Sequence, residues 1–433
     1  MPDIKNKTLS YLKRNGVRKT LRMCIQRLRE ERAESGYDAS FKASRVTAEE
    51  LTLQREEKWD TKPYLSVVIP AYEPLEDHFR TLLDSLLIQS FENFEVIIAD
   101  ASSNEDIKLL LGEYDDERLV YIKLKSNGGI SDNTNEGLRH AKGSAVVFCD
   151  HDDFMEPDAL YHVAKALNDG ARLVYTDEDK YEETSPGEGR FYRPNIKPDF
   201  DYDLLLSNNY ISHLCAVDME LVKSLGGLRN KYDGSQDYDL ILRCVDRILG
   251  ENGFYKGKLS SVYHDIVHIP KVLYHWRVHS NSTAENPLSK DYAYEAGRMA
   301  LIHHLKNRRL NASVKHSEHL GFYTVRYKDA FPEDELEFNI PEGLRELTGD
   351  VKKAAAGYFS RPEVDAVVFR IIDKSGRIEE GAGKGRKWWD SGVMHRLAVN
   401  TDLKDVEGCA YCVRKGHTGG LIVYVPGIVL KRV

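Results

Sequence analysis

Three carboxylates leave an apolar stretch together in Asp150-His151-Asp152-Asp153, directly after Ala145-Val146-Val147-Phe148-Cys149. Like charges so close repel, and a divalent cation relieves the repulsion. Mg²⁺ or Mn²⁺ is held by one or two carboxylates and completes its shell with phosphate oxygens and water, so the pattern points to a diphosphate ligand. An Asp-rich turn capping a helix at Pro157 would use the same residues. A second cluster, Asp233-Gly234-Ser235-Gln236-Asp237-Tyr238-Asp239, precedes a helical pattern of Leu240, Ile241, Leu242 and Val245. It sets Asp237 at a helix start as a carboxylate able to take a proton from an attacking hydroxyl. Capping and complementarity to the helix dipole describe it equally well. A third stretch, Tyr274-His275-Trp276-Arg277-Val278-His279-Ser280, closes an apolar run. Imidazole can complete a metal shell and guanidinium can clamp a phosphate, although a His-Trp pair on a strand is also ordinary packing.

The elements that must position these groups alternate regularly. The apolar run Leu65 to Ile69 ends at Pro70, and Phe79, Leu82, Leu83, Leu86 and Leu87 then fall on one helical stripe. Strands at Glu95 to Ala99, Leu119 to Lys123, Ala145 to Cys149 and Arg172 to Thr176 alternate with helices near Glu105 to Gly112, Ser131 to Ala141 and Pro157 to Leu167. Repeated βα units predict an α/β fold, a mostly parallel sheet with helices on both faces. Ligands of such sheets bind beyond the carboxyl ends of the strands. There the polar clusters collect: Pro70-Ala71-Tyr72, Asp100 to Ser103, Asn127-Gly128-Gly129, Asp150 to Asp153, and Asp177-Glu178-Asp179-Lys180. That convergence favours the cation over the capping turn.

At 433 residues and 41% hydrophobic content the chain accommodates one large domain and a smaller one. Its formal net charge of -8 argues against nucleic acid as the main partner. Residues 1–34 reverse the sign, with ten Lys or Arg against four Asp or Glu. Within them Val17, Leu21, Cys24, Ile25 and Leu28 recur at helical spacing among arginines. This basic amphipathic helix fits an anionic membrane surface or a partner through residues 8–34, and it fits packing on its own domain equally well. Residues 35–62, polar and without periodicity, read as a linker. The six scattered cysteines suggest reduced thiols of a cytoplasmic protein. The Cys409/Cys412 pair lacks a second ligand pair and is not expected to bind zinc. No signal peptide and no run of about 18 apolar residues is expected.

Taken together, Ser66 to Tyr72, Asp100, Asn127 to Ser131 with Asn135, Asp150 to Asp153, Gly234 to Leu240, and Tyr274 to Arg277 with Ser282-Thr283-Ala284 resemble glycosyltransferase family two. These are inverting enzymes of the GT-A fold that build bacterial surface polysaccharides. The resemblance covers about residues 60–330. It implies a domain at 63–330, after an N-terminal helix and linker at 1–62. Residues 331–433 would then be a smaller α+β accessory region, faintly similar to the remnant of a second transferase domain. The resemblance implies a nucleotide-diphosphate sugar donor, a carbohydrate or lipid-linked glycan acceptor, and Mn²⁺ or Mg²⁺. Pro70, Ala71, Tyr72, Asp100, Asn127, Gly129, Asn135, Asp150 and Arg277 would face the donor. Asp152, Asp153 and His279 would face the metal, Asp237 would be the base, and Asp177, Asp179, His213 and Gln236 would line the sugar or acceptor side. One rival, a sugar-nucleotide nucleotidyltransferase, would place a Gly-rich, Arg-containing loop where Pro70-Ala71-Tyr72-Glu73 stands. A catalytically silent carbohydrate-binding protein of the same fold is the other, since fold alone does not prove chemistry. The joint presence of Asp150, Asp152 and Asp237 speaks against it.

Overall fold

The structure is a computed structural model. It describes residues 35–185, 188–254, 262–278, 291–317, 320–329, 331–347, 350–379, 401–402, 409–416 and 421–432, with single positions and short stretches between 9 and 32.

A parallel core forms first in the chain. Strand β1 (Leu65–Ala71) lies between β2 (Phe94–Asp100) and β4 (Ala145–Phe148), with β3 (Leu119–Lys123) beyond β2, all parallel. Leu65, Val67, Val68 and Ile69 are fully buried, because a central strand of such a sheet is covered on both faces. Val67 and Ile69 face α3 (Glu76–Leu87), α4 (Asp106–Leu111) and α6 (Ala159–Asn168), whereas Val68 faces the opposite core, which holds Leu138 of α5 (Ile130–His140). The expected two-faced α/β architecture is therefore present.

Past β4 the sheet becomes mixed. The four-residue strand β8 (Cys215–Asp218) runs antiparallel between β4 and β6 (Leu173–Ser185), and β6 pairs in parallel with β9 (Ile266–Arg277). The two-residue strand β5 (Phe154–Met155) closes the edge against β9. Strand β6 continues well beyond Thr176 and folds back through β7 (Glu188–Asn195). The segment Asp177 to Lys180 is thus strand, not the expected loop. Its charged residues hid it because their partners come from distant elements rather than from sequence neighbours.

The segment 35–62 also corrects its expectation as a linker. It carries α1 (Tyr37–Ala43) and α2 (Ala48–Glu56), and α2 opens with a capping box between Thr47 and Glu50. Phe41 of α1 is buried against Phe191 and His275, with ring centroids 4.8 and 5.3 Å away. After the sheet come α7 (Tyr202–Leu205), α8 (Met219–Ser224), α9 (Gln236–Glu251), α10 (Val262–Asp265) and α11 (Asp291–Asn307), then the hairpin β10 (Ala312–His316) and β11 (Tyr323–Tyr327).

The C-terminal region is a second sheet in the order β12 (Leu336–Asn339), β16 (Ala410–Arg414), β14 (Val364–Ile372), β17 (Leu421–Arg432) and β13 (Leu344–Glu346), with β15 (Thr401–Asp402) beside β17 and α12 (Val351–Tyr358) against it. Its apolar side chains continue the core that contains Val68. Arg361, wholly buried, reaches Asp203 of α7 at 2.6 Å and Glu363 at 2.9 Å, and Glu363 also accepts from Arg308 at 3.0 Å. Cys409 and Cys412 are free thiols, and no helix among the described residues is long and apolar enough to cross a membrane.

Candidate active site

A cleft of about 750 Å³ opens at the carboxyl ends of β1 and β4. Pro70, Ala71 and Tyr72 form one wall, Asp150, His151 and Asp152 the floor, and His213, Gln236 and Asp237 the side opposite. Trp276 of β9 closes one end. The wall is fixed from β2: the Glu73 N–H donates to Ser102 Oγ at 2.8 Å, and the Ser103 hydroxyl donates to Glu73 at 2.7 Å. These bonds hold Glu73 at φ 44°, a left-handed backbone that costs a non-glycine residue free energy and that surrounding structure must maintain.

The acidic loop divides its carboxylates. Asp150 has a side chain 40% exposed and lies 3.7 Å from His213 Nε2. Asp152 also lines the cleft, and its carbonyl accepts from Arg277 Nε at 3.0 Å. Asp153 turns away. Wholly buried, it accepts from the Tyr274 hydroxyl at 2.7 Å and from the Arg277 N–H at 2.9 Å. Burial pushes its carboxyl well above the usual range, the negative charges of Asp152 and Asp150 add to this, and those two hydrogen bonds only oppose it. Asp153 therefore props the loop and does not offer its oxygens to a metal. The Tyr274 hydroxyl also receives the Asp150 N–H at 3.2 Å, and its ring stacks on His213 at 5.0 Å.

Asp237 stands in the first turn of α9. Burial raises its pKa, while His213 and the backbone N–H groups of Tyr238 and Asp237 work against that rise. Asn209 donates to its Oδ2 at 2.7 Å. Gln236 turns back to accept from the Gly234 N–H at 2.8 Å.

Other expected residues hold the frame. Asp100 is buried and accepts from Tyr121 at 2.8 Å, Lys123 at 3.0 Å and the Ser102 N–H at 2.8 Å. Burial alone would raise its pKa, but the hydrogen bonds from Ser102, Lys123 and Tyr121 bring it below the ordinary value. Asn127 accepts from Gly129 N and Asn133 Nδ2, both at 3.0 Å, and so shapes the turn into α5. Gly129 has φ 90°, and a Cβ there would meet Asp233 Oδ2 at 2.7 Å, so both backbone and space demand glycine. Asn135 brackets Leu228 through both backbone groups, at 2.8 and 2.9 Å, and lies outside the cleft.

Three further expectations are corrected in place. Asp177 accepts from Lys197 N at 2.8 Å and meets His268 Nε2 at 2.9 Å. Asp179 meets His275 Nδ1 at 2.6 Å and receives the Tyr37 hydroxyl at 2.8 Å. Neither lines the cleft, because both lie buried within β6. Arg277 is buried too, with its guanidinium over the Phe154 and Tyr181 rings at 5.1 and 5.4 Å rather than among the cleft's lining. His279 and Ser282-Thr283-Ala284 fall outside the described residues.

Among the described residues no three His, Cys, Asp or Glu side chains converge into a protein-only metal shell. Two carboxylates, Asp150 and Asp152, do line the cleft. That donor set suits a hard cation held jointly by protein and diphosphate, the usual arrangement for Mg²⁺, and does not suit a closed structural site.

Residues 66–226 match the family model described as Glycosyl transferase family 2. With the two-faced α/β sheet, its architecture is GT-A. The chain is 37% identical over 248 residues to an uncharacterized protein of Sinorhizobium fredii, covering 56% of this chain and 25% of that one. It is 32% identical over 294 residues to the O-antigen biosynthesis protein RfbC of Myxococcus xanthus, covering 67% and 21%. The chain thus spans about a quarter or less of these relatives' length. Among solved structures, S. aureus TarS residues 1–349 in complex with UDP is similar at 19% identity and a TM-score of 0.40, over 56% of this chain and 66% of that one. The mannosyltransferase PcManGT of Pyrobaculum calidifontis, in complex with GDP-Man and Mn²⁺, is similar at 18% identity and a TM-score of 0.38, over 60% and 69%.

Proposed function

We propose that this chain is an inverting, metal-dependent glycosyltransferase of bacterial cell-surface polysaccharide synthesis. It moves a hexosyl or rhamnosyl group from a nucleotide-diphosphate sugar to a hydroxyl of a carbohydrate or lipid-linked acceptor. The observation that carries this reading is that one cleft is lined by Asp150 and Asp152 from the β4 loop and by Asp237 from α9. The family match and the kinship to an O-antigen biosynthesis protein support the reaction class and the pathway.

Each group then has a task. Asp150 and Asp152 orient the donor's ribose and diphosphate side, with Pro70, Ala71 and Tyr72 beside its base. A bound Mn²⁺ or Mg²⁺ would supply Lewis-acid stabilisation of charge on the departing diphosphate. Asp237 accepts the proton of the acceptor hydroxyl while the hydroxyl oxygen bonds to the anomeric carbon and the bond from that carbon to the diphosphate breaks on the opposite face, the diphosphate leaving with the electron pair, which inverts the centre. The raised pKa of Asp237 improves its match to that task, because a base works best when its pKa approaches the working pH. The test is turnover of a panel of UDP-, GDP- and dTDP-sugars with Mn²⁺ or Mg²⁺. One member should be hydrolysed or transferred and Asp152→Ala should abolish this; unchanged turnover in that variant contradicts the donor assignment.

The same proposal places the enzyme in the cytoplasm, at the inner face of the membrane. Val17, Leu21 and Leu28 are 74%, 62% and 61% exposed on the basic N-terminal segment, which supports docking of residues 8–34 on an anionic surface. Co-sedimentation with phosphatidylglycerol vesicles but not phosphatidylcholine vesicles is expected, and equal recovery with both would refute it. Residues 331–433 serve as an accessory region for acceptor binding or assembly.

A further inference from the structure

Asn209 lies between α7 and β8, outside every motif that the sequence displays. Its Nδ2 is 2.7 Å from Asp237 Oδ2. An amide beside a carboxylate presents its NH₂ group, since its oxygen there would face like charge. On its other side, Asn209 Oδ1 is buried and has no hydrogen-bond partner among the described residues. An unmet buried acceptor is unfavourable. The amide is therefore held in this orientation by what its NH₂ contributes, and that contribution is to Asp237.

We propose that Asn209 is the positioning residue of Asp237: it engages Oδ2 and leaves Oδ1 to receive the proton of the attacking hydroxyl. The proposal rests on Asp237 being the base. A carboxylate in the first turn of a helix can otherwise rotate onto the free N–H groups there, and those of Tyr238 and Asp237 do bear on it. Asn209 approaches from a different element, so the carboxylate plane is set by two directions instead of one. A hydrogen bond to the charged form also favours that form, so Asn209 limits how far burial can raise the Asp237 pKa. The other titratable groups near Asp237 are His213, Asp150, Cys215, Tyr238 and Tyr323. None of these supplies an amide donor.

The test reads Asp237 directly. In protein labelled with carbon-13 at aspartate carboxyls, the Asp237 signal is assigned by its loss in Asp237→Asn and titrated in the unaltered chain and in Asn209→Ala. The midpoint should rise by about one unit on removing the donor, and should rise further in Asn209→Asp. Transfer by Asn209→Ala should show a lower kcat at unchanged donor KM, with the acidic limb of its pH profile displaced upward. The thermal shift given by UDP with Mn²⁺ should stay that of the unaltered chain. Should Asn209→Ala not fold, Asn209→Ser, too short to reach Oδ2, carries the same measurement. An unmoved midpoint overturns the proposal, and so does a loss of the UDP shift equal to the loss of kcat. Failure of the base assignment shows differently: Asp237→Asn would keep transfer even though the midpoint moved.

Discussion

At the scale of single residues, neighbouring carboxylates of one acidic run do unlike work because of where each side chain ends. Asp150 and Asp152 reach the cleft, whereas Asp153 is buried under Tyr274 and the Arg277 backbone. Sequence could place the run at a strand end but could not divide it, since the division depends on Tyr274, which arrives from β9 much later in the chain. The same holds for Asn209, whose contact with Asp237 comes from tertiary approach and not from spacing. Asp153 gives a prediction at this scale. Asp153→Ala leaves the Tyr274 hydroxyl and the Arg277 N–H without their acceptor, and should cost about 1–3 kcal/mol of stability in urea unfolding. Asp153→Asn, which keeps an acceptor and removes a charge that burial disfavours, should cost less. The reverse ranking would mean that Asp153 acts as an ionised ligand after all.

At the scale of elements, the βα alternation was readable through Leu173 because each strand is a continuous apolar run and each helix a stripe. Beyond it the periodicities fail for identifiable reasons. Strand β8 is four residues long, and the outer half of β6 is charged. Helix α1 is held by polar contacts that no local pattern reveals: Tyr37 to Asp179, and, just after it, Arg45 to Glu156 at 2.8 Å. Between these two carboxylates sits His275, fully buried, with Nε2 3.0 Å from Glu156. Desolvation would depress the His275 pKa, but the Asp179 and Glu156 carboxylates outweigh it and raise the pKa above the usual value. The sign follows: its stabilisation is complete below the unfolded histidine value of about 6.5 and is lost as pH rises through the higher folded value. Asp179, raised chiefly by burial, acts in the same direction, while Glu156, held below its usual value, loses its contribution only as the medium turns acid. His275→Ala should therefore cost about 3 kcal/mol or more near pH 6. The difference in melting temperature from the unaltered chain should shrink toward alkaline pH. A difference independent of pH would show that His275 serves there as neutral packing.

At the scale of the whole molecule, the described regions share structure that the domain expectations treated as separate. The 35–62 segment docks beside β9, the strand that carries Tyr274 and Trp276 to the cleft. The C-terminal sheet continues the core that contains Val68 and is joined to α7 through Arg361 and Asp203. The βα alternation and the order of motifs sufficed to foresee the fold class and the family whose model the chain matches. The cohesion between regions was not legible, because it depends on buried ion pairs whose members lie far apart in sequence. What unites these levels is the proposed division of labour across one cleft, lined by Asp150 and Asp152 of the β4 loop on the donor side and by Asp237 of α9 on the acceptor side. Its most direct test is a thermal-shift titration of nucleotide sugars with Mn²⁺ on three chains: unaltered, Asp152→Ala and Asp237→Asn. A ligand that binds the native state raises its melting temperature by mass action. At least one sugar nucleotide should stabilise the unaltered chain and Asp237→Asn alike, and fail to stabilise Asp152→Ala. Equal stabilisation of all three chains, or of none by any nucleotide sugar, would contradict the account.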